Sequence, residues 1–322
     1  MSVLPGRNQG WRNYWKEDRN ESCVAENTAT ATAIRERWIE LFSDLANGSR
    51  ILDVATGNGA LLAHAAIAAE RGALNFSLTG VDLADIDPVR YVSGIHDSLR
   101  KAEFKGGVAA EKLPFSDASF DVVVSQYGLE YADLDKALAE VERVLTAGGR
   151  LLWLAHNDKS LVVEQNQDQS RQVEFLLASG SPLKAMGSLV AKIKKRRNLE
   201  HANQKLRTAL TAAEQYCFDH PPAKVIRDVC TVIAETAQNW QAFRPQDLDK
   251  MLSDSRSRLI AHRQRINDLL AAVITPDREE IIRGHLRQPS WENASFLTLR
   301  IGAASSQIGT LIEARRAADQ AT

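Results

Sequence analysis

The 322-residue chain is poor in cysteine, in long apolar runs and in surplus charge of either sign. Its three cysteines, Cys23, Cys217 and Cys230, stand far apart and form no CxxC pair. That excludes a disulfide framework and a cysteine-built zinc site, and it suits a reducing cytosol. No apolar run approaches the ~20 residues that span a bilayer. The opening stretch MSVLPGRNQGWRNYWKEDR has no apolar segment of the signal-peptide kind. The expected location is therefore the cytoplasm, with no membrane partner. Forty basic residues against 41 acidic ones leave a formal net charge of −1, so no global field points to nucleic acid or anionic lipid as a partner. Internal repeats and low-complexity segments are missing too. The length itself allows one large domain, or one and a half smaller ones, with ample core.

What is present is an alternation of short strand-like runs and helical stretches from residue 51 to about 155. RILDVA (50–55), FSLTGVDL (76–83), AEFKGGVAA (102–110), SFDVVVSQY (119–127) and GRLLWLAHN (149–157) read as strands. SFDVVVSQY is almost continuously apolar, as expected of a strand covered on both faces. GALLAHAAIAAERG (59–72), PVRYVSGIHDSLRKA (88–102) and DLDKALAEVERVLTAGG (133–149) read as helices, the last with a glycine stop. Such alternation implies right-handed βαβ units and a parallel sheet. After residue 157 it disappears. Ala, Leu, Gln, Lys, Arg and Glu dominate to about 287, with helices expected near 160–178, 184–198, 200–218, 224–240 and 246–273. SFLTLRIGAA (295–304) then reads as one more strand, paired with residues near 285–289.

The turn after the first strand is Asp53-Val54-Ala55-Thr56-Gly57-Asn58-Gly59. Two glycines let the backbone approach a ligand and turn sharply into a helix. A dinucleotide turn, GxGxxG, would want a third glycine where Leu62 stands. Asp53 adds a carboxylate that a pyrophosphate would repel and a cationic nucleoside would favour. With this turn in place, the sequence resembles the class I S-adenosylmethionine-dependent methyltransferases over residues 45–157 and the last strand. LDVATGNG fits the family's first motif with Ala55 for the first glycine, a replacement found around the ubiquinone/menaquinone C-methyltransferases. Asp82 in TGVDLA fits the acid ending the second strand. AAEKLPFSDASFDVVVS (109–125) fits the third motif, with Ala109 where the family's acid reaches adenine. Ser125-Gln126-Tyr127-Gly128 follows the fourth strand and is not the N-P-P-Y type found in enzymes that methylate exocyclic or amide nitrogens.

The resemblance implies an α/β fold, a three-layer Rossmann-like sandwich with a mostly parallel seven-stranded sheet and a large helical insertion after the fifth strand. It divides the chain into an N-terminal helical lid segment (1–45), a cofactor-binding core (46–157), the insertion (158–287), and a last strand with a C-terminal tail (288–322). It implies S-adenosylmethionine as cofactor and no metal. The implied cofactor residues are Tyr14, Asp53, Ala55, Gly57, Asn58, Gly59, Asp82 on the ribose hydroxyls, Leu83, Ala110, Glu111 and Ser125. Trp15, Gln126, Tyr127 and Tyr131 fall on the acceptor side. Glu111 either replaces the missing adenine acid or is a solvated loop carboxylate.

Methyl transfer needs a base only for a hydroxyl or a weakly acidic carbon. His156, just past the fifth strand, is the catalytic candidate, either a base or an orienting group; otherwise it is a surface or capping histidine. Trp11, Tyr14 and Trp15 share one helical face, which either lies over the cofactor or packs on the core. The insertion is expected to cap the acceptor, to form a homodimer interface, or both. The basic run KIKKRRNLEH (192–201) has no interleaved aromatics, which argues against nucleic acid. The expected activity is methyl transfer to a small molecule at O, C or N. Methylation of RNA or protein, and a non-catalytic partner-binding subunit of the same fold, are the alternatives.

Overall fold

A computed structural model describes residues 11, 14–16, 28–93, 97–301 and 305–318. Cys23 and much of the 10–19 aromatic stretch lie outside the described residues. RILDV forms β1 (Arg50–Val54), SLTGVD forms β2 (Ser77–Asp82), and EFKG forms β3 (Glu103–Gly106). FDVVVSQ forms β4 (Phe120–Gln126), and β5 runs from Leu145 to Ala155. All five are joined in parallel: β1 to β2 and β4, β2 to β3, and β4 to β5. The chain then closes the sheet with β6 (Trp291–Ile301) and β7 (Ser306–Arg316), β7 lying antiparallel to both β5 and β6. The order β3-β2-β1-β4-β5-β7-β6 gives a mostly parallel seven-stranded sheet, the expected α/β architecture. Strand order reverses between β1 and β4, so their carboxyl ends flank a crevice where ligands bind in open α/β sheets.

Helix α1 (Ala29–Ser43) starts on the side chain of Thr28, which accepts from the amide of Ala31. α2 (Ala60–Gly72) is the alanine-rich run after the glycine turn, and α3 is the short Pro88–Tyr91 segment. α4 (Leu134–Val144) is capped by Asp133 and buries Leu134, Ala137, Leu138, Val141 and Val144 at helical spacing. These apolar positions join Leu52, Val123, Leu151, Trp153 and Ile312 in one core cluster.

The later helices are α5 (Leu161–Leu177), α6 (Pro182–Lys195), α7 (Leu199–Asp219), α8 (Lys224–Gln238), α9 (Pro245–Ala272) and α10 (Pro276–Leu286). Two compact units result, one of Met1–Glu164 with Ala271–Thr322, the other of Gln165–Leu270. The second has its own core, built around Leu176, Leu189, Val190, Leu206, Ile226 and Leu248. Among the described residues no helix is long and apolar enough to cross a membrane.

Three local expectations need correction. The helix expected over 88–102 is only α3, followed by a 3₁₀ turn at Asp97–Lys101. The helix expected to stop at the glycines near 149 ends at Val144, where Leu145 is already extended; Gly148, at φ +74°, lies inside β5. Residues 288–322, read as one strand and a tail, supply both β6 and β7, and β6 pairs with β7 instead of with 285–289, which are the last residues of α10 and the turn after it.

Candidate active site

The turn between β1 and α2 uses left-handed backbone at three positions, Ala55 (φ +60°), Gly57 (φ +53°) and Gly59 (φ +81°). Glycine meets this at no steric cost, whereas an alanine there is strained by about 1–2 kcal/mol. A Cβ on Gly57 would lie 2.5 Å from the indole of Trp15. The ring therefore rests directly on the glycine, and the carbonyl of Trp15 accepts from Asn58 Nδ2 at 3.1 Å. Ala84 and Ile86, just past β2, complete the apolar seat of Trp15, with Trp11, Tyr14 and Phe104 packed against it.

Asp53 and Asp82 end up as two buried carboxylates beside this turn. Asp82 accepts from the amides of Gly57 (2.9 Å) and Ala84 (2.7 Å). Asp53 accepts from the Thr56 hydroxyl at 2.6 Å. Burial pushes Asp53 up to about 8, opposed by the Thr56 bond and reinforced by the charge of Asp82. Burial pushes Asp82 up to about 6, opposed by its two amide bonds. Neither carboxylate has a cationic partner among the described residues. Two desolvated acids without a cation favour a positively charged ligand. S-Adenosylmethionine, with a sulfonium and an ammonium, fits this donor set; a pyrophosphate does not.

Of the remaining residues assigned to the cofactor, Ser125 is committed to the fold. Its hydroxyl donates to Val54 O (2.8 Å) and accepts from the Leu129 amide (3.0 Å). Glu111 accepts from the Asp133 amide at 3.0 Å, holding the start of α4. Ala110 packs against the main core cluster, and Leu83 is half-buried.

On the acceptor side, Gln126 accepts from the indole of Trp38 at 2.6 Å. Tyr127 has φ +53°, donates through its hydroxyl to Ile308 O (2.7 Å), and stacks on His156 at 4.2 Å and 3°. Tyr131 meets the His156 ring edge-on at 6.4 Å and Trp11 at 5.9 Å, and Trp11 stacks on Trp15 at 6.2 Å. Aromatic rings thus run without a break from the glycine turn to His156. Trp15, expected beside the acceptor, lies against Gly57 at the glycine-turn end of this wall.

His156 is fully buried, and neither ring nitrogen has a hydrogen-bond partner among the described residues. The surface-histidine alternative is thereby removed. Burial pulls its basicity down to about 3, so the imidazole is neutral near pH 7 and offers one donor and one acceptor. Beside it Glu130 is also fully buried, accepting from Trp153 Nε1 (3.0 Å) and from the His156 amide (2.9 Å). Burial raises Glu130 to about 7 against the pull of these two donors and of Arg278.

Arg278, Trp38 and the contact of Gly128 with Ala55 carry no signal in the sequence. Each acts across a long stretch of chain. Arg278, one of two arginines in PDREEIIRGHL, has no neighbour in the sequence that hints at its partners.

A family model described as a methyltransferase domain matches residues 52–153. A ubiquinone/menaquinone biosynthesis C-methyltransferase of Teredinibacter turnerae is 33% identical over 176 residues, covering 51% of this chain and 64% of the relative. A demethylmenaquinone methyltransferase of Thermus thermophilus is 38% identical over 128 residues, covering 37% of this chain and 53% of the relative. A ubiquinone/menaquinone biosynthesis C-methyltransferase of Psychromonas ingrahamii is 39% identical over 119 residues, with 35% and 44% covered. The chain thus spans between 44% and 64% of the length of these curated relatives. Among solved structures, an S-adenosylmethionine-dependent methyltransferase of Mesorhizobium loti aligns with 22% identity and a TM-score of 0.32, over 41% of this chain and 56% of that one.

Proposed function

We propose that this chain, whose residues 52–153 are a methyltransferase domain, transfers the methyl group of S-adenosylmethionine to a small-molecule acceptor at carbon, oxygen or nitrogen. The observation that carries the reading is the pair of buried, cation-free carboxylates, Asp53 and Asp82, flanking the glycine turn. When bound, the cofactor supplies an electrophilic methyl on a positively charged sulfur. The chain's task is then to align the acceptor and exclude water. Asp82 has lone pairs left for ribose hydroxyls after its two amide bonds, and Asp53, raised to about 8, supplies negative charge near the cationic end once a bound cation draws off its proton. Trp15 covers Gly57 and shields that end from solvent. His156, neutral and buried, orients the acceptor or takes its proton, with Tyr127 and Tyr131 as flat walls.

Two of the relatives are C-methyltransferases by name, so carbon is the first acceptor atom to test. The scattered cysteines fit a cytoplasmic setting. Calorimetric titration with S-adenosylmethionine and S-adenosylhomocysteine tests the reading. Micromolar binding by the wild type, lost in Asp82→Ala, is expected. A folded wild type that binds neither would overturn it.

A further inference from the structure

We propose that Arg278 is a positioning residue for the acceptor site: its guanidinium clamps the turn that carries Glu130 and Tyr131, and Glu130 in turn holds His156. The inference rests on the methyltransferase reading only in taking His156 as an acceptor-site group.

Arg278 sits in the first turn of α10, where Thr275 caps its amide. Through Nη2 it donates to the carbonyl of Glu130 at 2.6 Å. Through Nη1 it reaches the carbonyls of Ala271 (3.2 Å), Ala272 and Val273 (3.3 Å). The carbonyls of Ala271 and Ala272 end α9 and that of Val273 directly follows it, a place where helical oxygens lack intrahelical donors and carry the negative end of the helix dipole. A planar fork of five N–H donors spans four carbonyls in two segments; a lysine ammonium, a point on a flexible stem, does not.

The clamp belongs to a closed circuit. The Glu130 carbonyl is held by Arg278, while its carboxylate accepts from the His156 amide and the Trp153 indole. The His156 carbonyl accepts from the amide of Ile274 at 2.8 Å. Ile274 follows Val273, whose carbonyl returns the circuit to Arg278. Apart from the Trp153 indole bond, every link involves a backbone group, so a shift at any of these displaces main chain, not merely a rotamer. The imidazole of His156 has no hydrogen bond of its own among the described residues. Its place is set by its backbone, by the stack on Tyr127, and by Tyr131 on the clamped turn. Capping α9 alone would not require the fourth bond, the one that crosses to Glu130.

The circuit also includes the point where the helical stretch returns to the sheet, because Asn157 and Ile274 form an isolated parallel bridge.

The test follows the His156 ring by NMR in full-length protein carrying isotope-labelled histidine, with its resonance among the seven histidines assigned by loss in His156→Gln. Arg278→Gln is expected to move that resonance, and Arg278→Lys to move it less. Arg283→Gln, a change on the same helix at a residue bound to Glu279 and set over Phe296, should leave it in place. S-Adenosylhomocysteine affinity should stay within about twofold in the Arg278 variants, since the cofactor turn lies outside the circuit. An unmoved His156 resonance in folded Arg278→Gln overturns the proposal, as does an equal shift in Arg283→Gln. If Arg278→Gln does not fold, Arg278→Lys decides on the same readout. A wild type that binds no S-adenosylhomocysteine sinks the methyltransferase reading, while the NMR comparison still decides the clamp.

Discussion

Asp53 and Asp82 link pH to both stability and binding. A carboxyl whose folded-state value is raised holds its proton more tightly in the native state. The resulting stability is fully present below the unfolded value, near 4, and is lost as pH rises through the folded one, about 8 for Asp53. Asp53→Asn should therefore flatten the decline in melting temperature between pH 5 and 8, an effect on the order of a few kcal/mol. Flat and unchanged curves for wild type and variant alike would show that Asp53 ionises freely. The same coupling run in reverse predicts that a cation binds better once the acids are charged. Affinity for S-adenosylmethionine should rise from pH 5.5 to 8.5, through the titrations of Asp82 at about 6 and Asp53 at about 8. S-Adenosylhomocysteine, which lacks the sulfonium charge, should gain less, and equal slopes in calorimetry would deny the acids that role. A third residue-level prediction concerns Ala55. A Cβ on Gly128 would lie 2.5 Å from that of Ala55, so Gly128→Ala should cost about 1–3 kcal/mol by overpacking. Ala55→Gly should relieve its own strained φ and rescue Gly128→Ala, and a double-mutant cycle by chemical denaturation measures the coupling.

At the scale of elements, the loop before β4 is bolted to α4 by one arginine. Arg143 donates to Phe115 O (2.7 Å) and Leu113 O (3.0 Å) and pairs with Glu140, which accepts from the Leu113 amide at 2.7 Å. This is a physical role for the LPF segment singled out in the sequence. Arg143→Met should destabilise the protein by about 1–3 kcal/mol and speed hydrogen exchange at Leu113. Unchanged exchange there would mean that the loop is held by Leu113 and Phe115 packing instead. Elements whose signal is local were legible in the sequence: the covered strand β4, the alanine-rich α2, the apolar spacing of α4. The β6–β7 hairpin was only half legible. In β7, IEARR has the composition of a helix, and Gly309 interrupts the strand pattern; pairing with β5 and β6 on either side overrides both. The candidate site divides in the same way. The glycine turn, Asp53 and Asp82 lie within a short span, and their residue types announce their chemistry. Arg278 and Trp38 act through partners far along the chain, which no periodicity records.

Among the described residues, the core cluster of the sheet and the one among α5 to α9 share no buried residue. Independent cores permit independent melting. Leu189→Ala, in the second core, should shift one of two calorimetric transitions by several degrees and leave the other in place. A single transition that moves as a whole would mean that the units unfold together. The edge strand β6 is largely exposed along its length and bulged near Glu292 and Leu299, irregularities of the kind that discourage pairing with another sheet. The bond from Ile274 to His156, with the bridge beside it, has a consequence of another sort. The chain leaves the sheet and comes back at almost the same point. The closure of a loop depends on the separation of its ends and only slowly on its contents. That point is a socket. Whatever is spliced between Asn157 and Ile274 with its own ends a hydrogen bond apart leaves the seven strands undisturbed. The helical stretch can thus be exchanged whole, by an engineer or over generations, while the order of the seven strands stays as it is.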